Sequence, residues 1–124
     1  MERQALYQSF KTLNWQQQLG NLASTIATIS TQSMIPQHDK LTHHLLREAA
    51  LLIEWCAFNV PPDLQLELAL LQREIMAWHK IYPLEEARNL LSLQTRHQSE
   101  RILQMSGLLL QHTNENVKPL TVNS

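Results

Sequence analysis

The sequence predicts an all-α fold: an antiparallel four-helix bundle with a short N-terminal helical arm in front and a disordered C-terminal tail behind. Three observations lead there. Only two glycines, Gly20 and Gly107, occur in 124 residues, too few for the tight turns that hairpins demand. Prolines at 36, 61, 62, 83 and 119 divide the chain into helix-sized pieces, because proline interrupts a helix interior. Within each piece apolar residues recur every three or four positions, the period of one helical face.

The arm spans Glu2 to Leu13, with Leu6, Phe10 and Leu13 as its anchors. The first long helix opens at Asn14, a good N-cap, and runs to about Ser33. Its stripe is Trp15, Leu19, Leu22, Ile26 and Ile29; Gln16, Gln17, Gln18, Asn21, Ser24, Thr25, Thr28 and Thr31 fill the opposite face, and no charged side chain occurs between Lys11 and Asp39.

The second long helix runs from about Asp39, a plausible N-cap, to Asn59. Its main face is Leu41, Leu45, Ala49, Leu52, Ile53 and Cys56, widened by Leu46, Ala50 and Ala57. Leu51, Trp55 and Phe58 add an apolar strip on its flank. A helix apolar nearly all round is central in its domain or shared with another subunit. The third helix follows Pro61-Pro62 and carries Leu64, Leu68, Leu71, Ile75, Trp78 and Tyr82 on one face. After Pro83 the fourth runs from Leu84 to about Gln111, with Glu85 and Glu86 in its first turn and Leu84, Ala87, Leu91, Ile102, Met105 and Leu109 inward. Residues 1–112 form the single domain and 113–124 a flexible tail without periodicity.

Composition narrows the function. Ten basic against eleven acidic side chains give a net charge of −1, with no basic stripe to displace counterions from phosphates, so no nucleic-acid partner is expected. No apolar run approaches the ~20 residues needed to cross a bilayer, so no membrane is expected either. Cys56 is the single cysteine; it reads as a small buried hydrophobe in a cytoplasmic protein.

Six histidines, at 38, 43, 44, 79, 97 and 112, suggest metal chemistry, yet none has a glutamate three residues before it. The Glu-x-x-His pairs of carboxylate-bridged centres are therefore missing, as are His-Glu-x-x-His and Cys-x-x-Cys. No metal, cofactor or catalytic residue is assigned, and the expected protein is not an enzyme.

Two places depart from a plain bundle. His44 and Glu48, four apart, meet on one helical face. The run His44-Leu45-Leu46-Arg47-Glu48-Ala49-Ala50 resembles the motif of histidine phosphotransfer domains, which are four-helix bundles of about this size. The resemblance implies that His44 accepts a phosphoryl group and that Arg47 stands for the steadying lysine. Glu48 departs from it, occupying the position where those domains carry glycine. In the fourth helix, Gln94, Thr95, Gln98 and Arg101 fall on core-facing positions; they read as a register-fixing polar layer, an extension into solvent, or a small-ligand site.

Asn14 to Ser24 and Leu52 to Ala57 together resemble small all-helical proteins of cyanobacteria. That likeness implies a cytosolic location and an interaction role, and brings no functional residues. The leading expectation is a non-enzymatic, homodimeric protein–protein interaction module with Leu51, Trp55, Phe58, Leu93 and Leu103 as candidate interface. Leu66, Leu70 and Leu110 are further apolar positions off the core faces. Phosphotransfer through His44 and ligand sensing through the polar layer are the alternatives.

Overall fold

A computed structural model describes residues 2–107; the expected tail at 113–124, and Leu109 and Leu110, lie outside the described residues. Among the described residues all regular structure is helical: α1 (Glu2–Lys11), α2 (Trp15–Gln32), α3 (Asp39–Cys56), α4 (Pro62–Ile81) and α5 (Arg88–Ser106), with 3-10 turns at Pro36–His38 and Glu85–Ala87.

Asn14 starts α2 as expected. Its Oδ1 accepts from the Gln17 backbone N–H at 2.8 Å, and Gln17 Oε1 accepts from the Asn14 N–H at 3.1 Å. This reciprocal box satisfies two of the donors that a helix start leaves open. Leu19, Leu22, Ile26 and Ile29 are fully buried, and α2 packs against both α3 and α5. Against α5 the approach is close, because the facing residues are small: Ser30 Oγ donates to the Ser92 carbonyl at 2.7 Å, and Ser92 Oγ to the Ser30 carbonyl at 2.8 Å.

The polar face of α2 is not exposed throughout. Gln18 is 1% exposed: its Nε2 donates to the Phe10 carbonyl at 3.1 Å, and its Oε1 accepts from Asn59 Nδ2 at 3.2 Å. One amide thus ties the end of α1 and the α3–α4 connection to α2. Burial without both partners would cost ~1–3 kcal/mol.

In α3 the buried face is Thr42, Leu46, Ala49, Ala50, Leu52, Ile53 and Cys56, one position round from the expected centre. Leu41 is 43% exposed and Thr42 takes its place inside. In a helix apolar on nearly every side, the contacts of α2 and α4 rather than the pattern choose which residues go inward. Asp39 does not cap α3; His38 holds that position without a side-chain bond. The flank of α3 is covered by the arm, where Tyr7 meets Trp55 edge-on at 5.1 Å and Phe10 lies 6.1 Å from it.

In α4, Leu68, Leu71 and Ile75 are buried, with Tyr82 just beyond, while Leu64 and Trp78 pack against the core. The last helix departs from expectation at its start. Glu85 and Glu86 form a 3-10 turn, Leu84 is 40% exposed, and α5 begins at Arg88. Gly107, at φ 78° in the left-handed region, ends it, a conformation glycine adopts without steric cost. No helix among the described residues is long and apolar enough to cross a membrane.

Candidate functional site

α4 and α5 touch only sparsely, unlike the α2–α5 and α3–α4 pairs. The residues between them explain the gap. Trp78 Nε1 donates to Gln94 Oε1 at 2.5 Å, Gln98 Nε2 to Glu74 Oε2 at 2.5 Å, and Arg101 grips Glu67 through Nε at 3.0 Å and Nη2 at 2.7 Å. These long polar side chains act as rungs that join the helices and also hold them apart.

The polar layer of the fourth helix is therefore split by depth. Thr95 is buried, its hydroxyl bonded to the Leu91 carbonyl at 2.7 Å; Gln94 and Gln98 are half-buried, and Arg101 is exposed. Helical spacing places all four near one side, but α5 rolls so that only Thr95 enters the core.

The spacing of the rungs opens a groove. Glu67 and Glu74 lie seven positions apart on α4, while Gln98 and Arg101 lie three apart on α5. The space between is a groove of about 410 Å³ with Leu71 and Ile102 at its floor and Leu70 and Met105 on its walls. Gln98 Oε1, an acceptor shielded from solvent, has no partner among the described residues. Arg101 has its guanidinium pKa raised by the hydrogen bonds and charge of Glu67, so this guanidinium at the groove's rim stays charged at neutral pH. Leu70 on the groove wall is 48% exposed, and Leu66 (69%) on α4 and Leu90 (57%) and Leu93 (48%) on α5 stand exposed on the same two helices.

The interface positions read from the sequence do not converge on one surface. Leu93 and Phe58 are exposed, Phe58 at 90%. Leu51 is half-buried, Trp55 lies under the arm, and Leu103 packs against the core.

His44 is exposed on α3, its Nε2 3.6 Å from Glu48 Oε2, and Arg47 is exposed beside it. The Glu48 carboxylate thus stands close to the ring nitrogen that a phosphoryl group would occupy. Beside it on the same helix, the His43 ring stacks on His79 at 4.0 Å, and His43 Nε2–H donates to the His79 carbonyl at 2.9 Å. Burial, then the charges of His43 and Arg47, hold the His79 pKa below its ordinary value. Among the described residues no three His, Cys, Asp or Glu side chains converge as metal ligands. Cys56 is fully buried, and burial pushes its thiol up to about 11, which leaves it unsuited to nucleophilic chemistry.

A cluster that the sequence did not flag surrounds Arg88, 7% exposed. It donates to Asp39 Oδ1 at 2.8 Å and Oδ2 at 3.2 Å, to Glu85 Oε2 at 2.7 Å, and to the Ser33 carbonyl at 2.7 Å. The Tyr82 hydroxyl accepts from Arg88 Nη1 at 2.8 Å and lies 3.1 Å from both the Ser33 carbonyl and Asp39 Oδ1. Hydrogen bonding to Arg88 lowers the Asp39 pKa against the opposing effect of burial. Burial and the Asp39 hydrogen bond push the Tyr82 phenol up to about 12. The guanidinium is engaged by protein on every side, so it fastens four helix ends together and leaves none of its own N–H groups free for a substrate. No protein-family model, curated protein or solved structure matches this chain.

Proposed function

We propose that α2 to α5 form an antiparallel four-helix bundle with α1 as its arm, and that this bundle is a cytosolic, non-enzymatic interaction module docking a protein on its α4–α5 face. One observation carries the reading: among the described residues, the sparsely packed α4–α5 pair forms a groove with an apolar floor, and leucines stand exposed on both helices. Contiguous apolar surface rimmed by charge is the signature of a protein contact. The concentrations of polar chemistry at Arg88 and Gln18 are internally satisfied.

The test is capture from an extract of the native host, comparing wild type with Leu66→Glu and Leu70→Glu. Both sites are exposed, so the variants keep their helicity by circular dichroism. A protein retained by wild type and lost by both variants supports the reading; identical retention by all three contradicts it. The unpaired Gln98 Oε1 favours a second reading, a small apolar ligand carrying one hydrogen-bond donor. Ligand-induced thermal shift abolished by Gln98→Leu, with protein capture unaffected by Leu70→Glu, would select it.

A further inference from the structure

We propose that the partner of the α4–α5 face is a second copy of this chain, docked about a two-fold axis that runs along the groove; the inference rests on the interaction reading above. Such an axis leaves height along the helices unchanged, so α4 of each copy lies over α5 of the other in the same register. The banks suit that exchange. The groove side of α4 is acidic, with Glu67 and Glu74, and that of α5 carries Arg101 and His97. Glu67 and Arg101 already pair at 2.7 Å. The axis stacks this pair on its twin with the polarity reversed, so that each charge gains a second opposite neighbour from the other copy.

The apolar surface and its area fit as well. Leu66, Leu70, Ala77 and Ile81 lie along α4 and are all exposed, giving one strip that meets Leu90 and Met105 of the other copy across the groove. A 20-residue helix such as α4 is ~30 Å long. Two neighbouring helices present a face roughly 20 Å wide. The product, roughly 600 Å² in projection, approaches the ~800 Å² of accessible surface that each partner of a stable pair buries.

The experiment is sedimentation equilibrium on the full chain and two charge-reversed variants, Glu67→Arg and Arg101→Glu. Arg101 is exposed and Glu67 half-buried at the surface, so folding survives, and circular dichroism verifies it. Wild type is expected to dimerise, and each variant alone to dissociate about tenfold more readily or worse, because like charges then face each other across the axis. Mixing the two variants restores a dimer, since α4 of the Glu67→Arg variant then lies over α5 of the Arg101→Glu variant and opposite charges meet again. A salt bridge needed only within one copy gives no recovery on mixing, and that result overturns the inference. A wild type that stays monomeric into the high micromolar range also overturns it. Should that monomer still capture a host protein through Leu70, the interaction reading stands while the second copy is eliminated.

Discussion

Arg88 holds Asp39 by two hydrogen bonds, 2.8 Å and 3.2 Å long, across 49 residues of chain. The same guanidinium caps the end of α2 through the Ser33 carbonyl and binds the Tyr82 hydroxyl at the end of α4. Four helix ends thus depend on one side chain. Arg88→Met keeps most of the volume but strands the Asp39 carboxylate and the Ser33 carbonyl. Removing one partner of a buried pair costs about 3–5 kcal/mol in general; with Asp39 partly open to solvent, a loss near the lower end of that range is expected in urea unfolding. A loss below about 1 kcal/mol, the level of a surface ion pair, contradicts this role.

The same end of the molecule sets the acid response. Asp39 has a lowered pKa in the fold, so its contribution is complete above the ordinary aspartate value of 3.8 and is lost as pH falls through the lower folded value. His79 acts earlier. Its folded pKa is also lowered, so below 6.5 the unfolded chain takes up a proton that the fold resists, and stability declines as pH falls from about 7 toward about 5. Thermal unfolding across that range should show the decline in wild type and a flatter profile in His79→Gln. An unchanged profile in the variant removes His79 as the cause.

Thr42 is fully buried, and its Oγ1 has no hydrogen-bond partner among the described residues. Thr42→Val exchanges the hydroxyl for a methyl of similar size and removes an uncompensated desolvation cost. An increase in stability of about 0.5–1 kcal/mol is expected from thermal or urea unfolding. A decrease of that size indicates that the hydroxyl is paired in solution.

Cys56 is buried, with its thiol pushed up to about 11. Under mildly alkaline conditions it should react with a thiol reagent only when the helices open, at a rate that rises with urea in parallel with unfolding. Prompt reaction in the native state contradicts the placement of α3.

Much of the fold was legible because its signals are local. Asn14 followed by Gln17 is a complete capping box within four residues, and the stripes through Leu19 to Ile29 and Leu64 to Tyr82 need only helical periodicity. Failures came where the deciding partner is distant. Leu41 and Thr42 exchange places because α3 is apolar on nearly every side, and Gln18 turns inward because Phe10 and Asn59 meet its amide. Nothing near Arg88 in sequence announces its partner Asp39. The candidate site was half legible. Gln94, Gln98 and Arg101 stood out as polar residues on an inward stripe, but pairing them with Trp78, Glu74 and Glu67 requires the register of two helices.

The central claim is that the face between α4 and α5 is the one a partner covers, and solvent protection of a thiol there tests it most directly. Cys56 is buried and silent, so Leu70→Cys and Phe58→Cys each add one reactive thiol, the first on the groove wall and the second on the exposed α3–α4 connection. The account predicts that the thiol introduced by Leu70→Cys becomes steadily less reactive as protein concentration rises, while that introduced by Phe58→Cys reacts at the same rate throughout. Equal reactivity of the two at every concentration, with or without a captured host protein present, contradicts it.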